Sequence, residues 1–405
     1  MEILLNILAL SMGFAIVVIS IPPVIKIARA KKLYEPLDER KRHARDIPPF
    51  GGVAIFIGFV ISTIVATESY VFESLKYIIA SIILIFFIGL KDDFLVITVK
   101  NKLIVQIFAA VLLITLGNVH FTNLHGIFGL YEIHYFSTVF VSLFVMIGII
   151  NAFNLIDGID GLASGLAMLA GTFFGVWFYL AGQIPFSIMS FALVGSLAGF
   201  FLFNVFGKQN KLFMGDAGSL VIGLIVSTLV IKFNEFNIIK TAPYAINAAP
   251  AVSFAVLTVP VIDTLRVITI RLMQKKSPFS PDRNHIHHKL LIIVPNHFKV
   301  TLILISVSSF LIGFALFLNK ISMNINIQIF LIFSTGNLLS FIPAILTKRD
   351  TIHKKKTTKP ARIRRHPVRI IDVAVEKEPK EIDNGTISCS IEGEGISGSS
   401  SAWYK

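Results

Sequence analysis

Apolar runs of about 15 to 23 residues recur from residue 3 to residue 346, parted by short polar breaks, and they constrain this chain more than any other feature. Eleven can be marked, at 3–23, 50–67, 76–90, 102–117, 136–150, 162–181, 186–206, 217–233, 246–268, 300–318 and 325–346. In lipid only helices and closed barrels satisfy every backbone group, and barrel strands would be about ten residues long and alternating. The expected fold is therefore an all-α polytopic membrane protein with about eleven transmembrane helices. Only 15% of the 405 residues are charged, against about 25% in a soluble domain, which excludes a disordered chain and an ordinary soluble enzyme. The first run has Glu2 and no Lys or Arg ahead of it and no cleavage pattern behind it, so it reads as a retained helix. Cys389 is the single cysteine, which excludes an internal disulfide and any multi-cysteine metal site. Metal chemistry must use oxygen or nitrogen.

Eleven spans place the termini on opposite sides. Of 37 Lys and Arg, all but Lys76, Lys232, Lys240 and Lys320 fall on one face. The positive-inside rule makes that face cytoplasmic and leaves the N-terminus outside. Residues 1–346 form the expected transmembrane catalytic domain. Residues 347–405 open with Lys354, Lys355, Lys356, Arg362, Arg364 and Arg365 and end Gly/Ser-rich, which reads as a cytoplasmic tail of low order. Its basic part either lies on anionic headgroups or is simply solvated.

Within 51–346 the acids sort by type. Asp92, Asp93, Asp157, Asp160, Asp216, Asp263 and Asp282 fall on the inner face, whereas Glu68, Glu73, Glu132 and Glu235 fall outside. Short carboxylates gathered at inner helix ends suggest one shared metal or phosphate site. The adjacent pair Asp92-Asp93 repels itself unless a cation relieves it, or else it is a charged helix end at headgroup level. Asn151, Asn154, Asp157 and Asp160 recur at three-residue steps and would share a helix face. Phe213-Met214-Gly215-Asp216-Ala217-Gly218-Ser219 flanks one carboxylate with glycines, which either opens backbone N–H groups to phosphate or caps a helix. The longest inner loop holds Asp282-Arg283-Asn284-His285-Ile286-His287-His288-Lys289. Its histidines could bind zinc, but without a cysteine cluster the nearby Asp, Arg283 and Lys289 favour phosphate recognition. Asp263 and Arg266, three apart, would pair and steady that loop.

Taken together, Pro48-Pro49-Phe50-Gly51-Gly52, Asp92-Asp93, the 151–162 run, 213–219, Pro260-Val261-Ile262-Asp263-Thr264 and 281–288 resemble the polyprenyl-phosphate N-acetylhexosamine-1-phosphate transferase family, glycosyltransferase family 4. His285-Ile286-His287-His288 looks like the branch that uses UDP-N-acetylglucosamine. The phospho-muramoyl-pentapeptide branch usually carries three consecutive histidines, and Val96 stands where a third Asp would complete the longer acidic motif. The resemblance implies transfer of a sugar 1-phosphate, N-acetylglucosamine 1-phosphate in this branch, from a UDP-sugar to polyprenyl (undecaprenyl) phosphate. UMP is released, in a first step towards a surface glycan such as O antigen or teichoic acid. It implies magnesium, with manganese as the alternative ion, on Asp216 and Asp157. Asp92, Asp93, Asp157, His287 and His288 would be catalytic, and Asn151, Asn154, Asp160, Phe213, Arg283 and His285 would bind substrate, with Phe213 and Asp160 at the uracil ring. The implied place is the inner (plasma) membrane, with the active site on the cytoplasmic face. The partners are the two substrates and the bilayer, with no nucleic acid, and a homodimer is left open. The rival reading is a lipid-phosphate binding or transport protein without catalysis.

Overall fold

A computed structural model describes residues 1–33, 47–67, 72–242, 244–277 and 284–357. The expectations placed on Asp282, on Arg283 and on the chain from 358 onward lie outside the described residues. Met1–Lys356 form one compact unit and Thr357–Lys405 are counted apart from it.

Every apolar run coincides with a helix. They are α1 (Glu2–Ala30), α2 (Gly51–Ala66), α3 (Leu75–Phe94), α4 (Val99–Thr115), α5 (Tyr135–Ile156), α6 (Leu162–Leu180), α7 (Ile184–Phe206) and α8 (Gly215–Phe236), then α9 (Ala249–Val256) and α10 (Thr258–Met273). After a short α11 (Ile286–Ile293) come α12 (His297–Lys320) and α13 (Ile325–Thr357). The ninth run is broken, because α9 and α10 meet at a 74° bend. Pro260 lies in the first turn of α10 and can neither donate an N–H to the preceding turn nor tolerate its carbonyl, so the helix restarts at Thr258.

Among the described residues, α1, α5, α6, α7, α8, α12 and the Ile325–Pro343 stretch of α13 are long and apolar enough to cross a membrane, and the bent pair makes an eighth if counted as one span. The chain is a polytopic helical membrane protein. α2 is apolar but only 16 residues long. The C-terminal end of α3 carries Lys91, Asp92 and Asp93.

The all-α expectation is corrected outside the helices. Strands β1 (Asn123–Ile127) and β2 (Leu130–Glu132) pair antiparallel, with Ile127 opposite Leu130. Phe128 and Gly129 between them both have positive φ, at 51° and 81°, the geometry of a type I′ hairpin turn. A ladder this short has no clear alternation for sequence reading to detect. The helix α11 in the connection after α10 was likewise not expected.

α8 is the axis of the bundle. From Ala217 to Ile231 every residue is buried, as expected of a helix apolar on all sides, and α2, α3, α5 and α6 pack around it. Around it α5 is two-faced: Thr138, Ser142, Met146 and Ile149 are buried while Phe136, Phe140 and Phe144 are exposed at four-residue steps. The central position of α8 places its N-terminus among the ends of α3, α4 and α5, where the aspartates collect.

Candidate active site

The N-terminus of α8 is fastened before it does any chemistry. The 48–52 segment runs beside 213–214, with Phe213 N–H donating to Pro48 O (3.0 Å), Gly51 N–H to Phe213 O (2.8 Å) and Gly52 N–H to Met214 O (2.8 Å). Gly215 then turns the chain at φ +73°, where a Cβ would run into Pro49 O and the Asp93 carboxylate. Asp93 receives the opening N–H groups of the helix, from Asp216 to Oδ1 (2.7 Å) and from Ala217 to Oδ2 (3.1 Å). A carboxylate suits a helix N-terminus, where unpaired N–H groups and the helix dipole both favour negative charge. Asp93 was expected to act in catalysis. Both of its oxygens are spent on α8, so the structure gives it a bracing position.

One turn away lies a charge cluster built from four helices. Lys102, near the start of α4, hydrogen-bonds through Nζ to Asp92 Oδ2 (3.1 Å), to Asn154 Oδ1 (3.4 Å) and, in a very short contact, to Asp216 Oδ2. Asn154 Nδ2 donates to Asp216 Oδ1 (2.8 Å) and to Ser219 Oγ (2.9 Å). The other oxygen of Asp92 accepts Ile97 N–H (2.8 Å), which folds the α3–α4 connection back over the site. Asp157 ends α5, and neither of its oxygens has a hydrogen-bond partner among the described residues. Burial, and then the negative charges of Asp216, Asp93 and Asp160, push its carboxyl up to about 8. The cluster is rich in hard oxygen donors and short of positive charge, the donor chemistry that suits magnesium.

Asp160 belongs to a neighbouring polar group. Its Oδ2 accepts Lys211 Nζ (2.6 Å) and pairs with His297 Nδ1 (2.9 Å), and its carbonyl accepts Thr301 Oγ1 (2.9 Å). Burial alone would raise this carboxyl, but the hydrogen bonds from His297 and Lys211 outweigh it and hold the pKa below the ordinary value. Gly161 N–H donates to Asn204 Oδ1 (2.6 Å), which pins the end of the same turn to α7. Lys211 Nζ also lies 5.7 Å from the centre of the half-buried Phe213 ring. Asp160 and Phe213, expected to share a uracil pocket, thus share a lysine.

The histidine loop closes on α10. Asp263, 1% exposed, pairs through Oδ2 with His285 Nδ1 (2.9 Å) and accepts Ile286 N–H at Oδ1 (2.8 Å). Arg266 Nη1 donates to Asn284 O (2.9 Å) and lies 3.9 Å from Asp263 Oδ1, the pairing expected from their spacing. His287 is 1% exposed. Burial brings its imidazole down to about 3 against the opposing pull of the Asp263 carboxylate, and the neighbouring histidines add to the lowering, so it is neutral.

The structure therefore draws Asp92, Asn154 and Asp216 into contact, with Asp157 beside them in the turn that follows α5. Besides that of Asp93, it corrects two further expectations. The Asn151 amide donates to Gln106 Oε1 (2.9 Å) and to Ile147 O (2.8 Å), so it holds α5 to α4 instead of facing a ligand. His287 is sealed inside, whereas His288 is half-buried. Lys102, Lys211 and His297 were missed as site residues. In the sequence each is only a basic residue near a helix end, and no local spacing ties it to carboxylates so far along the chain.

Comparison with known proteins agrees with this geometry. The glycosyl transferase family 4 profile matches residues 75–234, which carry Asp92 to Asp216. The chain is 32% identical over 273 residues to an undecaprenyl-phosphate alpha-N-acetylglucosaminyl 1-phosphate transferase of Escherichia coli O157:H7, covering 66% of this chain and 71% of that relative. It is 31% identical over 270 residues to the protein of the same description in Yersinia pestis, with the same coverage. It is also 30% identical over 321 residues to a probable undecaprenyl-phosphate N-acetylglucosaminyl 1-phosphate transferase of Bacillus subtilis (strain 168), covering 78% and 85%.

Proposed function

Because the chain belongs to glycosyl transferase family 4, we propose that it transfers N-acetylglucosamine 1-phosphate from UDP-N-acetylglucosamine to undecaprenyl phosphate. The products are UMP and a lipid-linked diphosphoryl sugar. The single observation that carries this reading is the contact set of Lys102 with Asp92, Asn154 and Asp216 at the end of the bundle. In our reading the chain crosses the inner membrane eleven times, with the N-terminus outside, and that end of the bundle faces the cytoplasm.

Both substrates are anionic, so the site must offset like charge before the phosphates can meet. Lys102 supplies one fixed positive charge. Asp216, Asp157 and the side-chain oxygen of Asn154 would hold magnesium, or manganese in its place, which when bound neutralises the donor diphosphate and the departing UMP. Asp93 keeps Asp216 in place through the α8 backbone. Asp92 orients Lys102 and removes any residual proton from the acceptor. A phosphate monoester has a second pKa of about 6, so near neutral pH the acceptor is already mostly a dianion and can attack in one step. Phe213 stacks on the uracil, with Asp160 held beside it by Lys211 and His297, and His288 reaches the donor phosphates.

The test is UMP release by the full chain in detergent, with magnesium, undecaprenyl phosphate and a panel of UDP-sugars. Turnover with UDP-N-acetylglucosamine is expected. Turnover only with UDP-N-acetylmuramoyl-pentapeptide would move the chain to the other branch, and binding without UMP release would reject catalysis.

A further inference from the structure

His287 poses a problem that the transfer reaction leaves unsolved. Its ring is 1% exposed, and among the described residues neither Nδ1 nor Nε2 has a hydrogen-bond partner. A buried neutral imidazole normally donates from one nitrogen and accepts at the other, and leaving both unmade is costly. A direct water bridge needs polar partners, yet Nε2 faces Gly158, where even a Cβ would collide with the ring. The remaining nitrogen, Nδ1, lies 3.8 Å from Asp263 Oδ2, the oxygen that His285 Nδ1 approaches to 2.9 Å. Ligand atoms of Asp263, His285 and His287 all lie within 4.8 Å of one another, and all three side chains are buried. The rings of His285 and His287 lie nearly parallel, at 20°.

We infer that Asp263, His285 and His287 form a second metal centre, distinct from the carboxylate cluster at Asp216, and that it holds a zinc ion. Two imidazole nitrogens and one carboxylate oxygen are a zinc donor set, whereas magnesium prefers oxygen. At Zn–N distances of about 2.0–2.1 Å, tetrahedral ligands stand about 3.3 Å apart; the Asp263 oxygen lies 2.9 and 3.8 Å from the two imidazole nitrogens, and with all ligand atoms within 4.8 Å of one another the rings must close on the ion. Small side-chain rotations would bring the three atoms onto one ion.

The second oxygen of Asp263 is already fixed by Ile286 N–H, and Arg266 stands on that side, away from the ion. The ion clamps the start of α11 to the broken helix α10. Since His287 packs against Gly158, it also steadies the turn that carries Asp157. The residue spacing shows only part of this site, because the third ligand comes from another helix, 22 residues before the first histidine of the loop.

The full chain in detergent, freed of metal and dialysed into magnesium buffer, should take up close to one zinc per chain from zinc chloride, measured by elemental analysis. Cobalt chloride should give the visible absorption of a four-coordinate ion. Asp263→Asn and His287→Ala should each weaken zinc uptake at least about tenfold, whereas Asp216→Asn should retain it. Zinc should raise the melting temperature of the wild type and not of those two variants. If the variants fail to fold, X-ray absorption of the zinc-loaded wild type decides, since an imidazole-containing shell is expected. No stoichiometric zinc in the wild type, an all-oxygen shell, or uptake unchanged in Asp263→Asn would overturn the proposal.

Discussion

The two polar clusters at this end of the bundle differ in a way that separates chemistry from support. Around Asp216 the donors are carboxylate and amide oxygens, a lysine bridges them, and the Asp216 side chain keeps 34% of its exposure. Around Asp263 the donors are nitrogen and oxygen, the side chains are sealed, and hydrogen bonds run to the backbone of the loop that they hold. A site that must admit two phosphates and release UMP has to stay partly open. A site that fixes a loop gains from being closed. Both are built from aspartates at helix ends, and burial with partner type divides their work.

That contrast is broken most decisively by Asp216→Asn, expected to cost about 10³-fold or more in UMP release with little change in melting temperature; near-normal turnover would move the chemistry elsewhere. Lys102→Met should cost about 10²-fold in kcat, with Lys102→Arg recovering part of it, and a change confined to KM would limit the lysine to docking. Gly215→Ala should destabilise the protein by about 1–2 kcal/mol or more, because a side chain there meets Pro49 O in a left-handed turn; calorimetry in detergent reads this.

The pH response sharpens the comparison further. Asp157, with its carboxyl raised to about 8, is mostly protonated at pH 7 in the metal-free protein. Cation binding must then expel a proton, so affinity rises with pH through that value. Magnesium should bind about tenfold more weakly at pH 7 than well above pH 8, and a pH-independent titration would contradict the assignment. The smallest effect is reserved for His297→Gln. It should raise KM for the UDP-sugar a few-fold, about 1 kcal/mol, and leave kcat nearly unchanged, since His297 reaches substrate only through Asp160.

Much of the architecture was legible because apolar run length reports directly on helices in lipid. The break between α9 and α10 was missed, since 246–268 read as one apolar run although Pro260 lies within it. So was the hairpin at 123–132, since five- and three-residue strands leave too little pattern. Asp92, Asn154 and Asp216 could be named from spacing and glycine context. What each carboxylate does could not. Asp92 and Asp93 are neighbours in sequence, but successive positions on a helix point about 100° apart, so one meets Lys102 and the other the backbone of α8. Lys102 lies 114 positions from Asp216, and only the packing of α4 beside α3 and α5 brings it there.

The central claim is that Asp157 and Asp216 share one divalent ion, and manganese bound to the full chain, followed by electron paramagnetic resonance, tests it most directly. One tight manganese is expected in the wild type and should be lost in both Asp216→Asn and Asp157→Asn, with Asp263→Asn retaining it. Tight manganese surviving in Asp157→Asn would show that the two carboxylates serve separate ends.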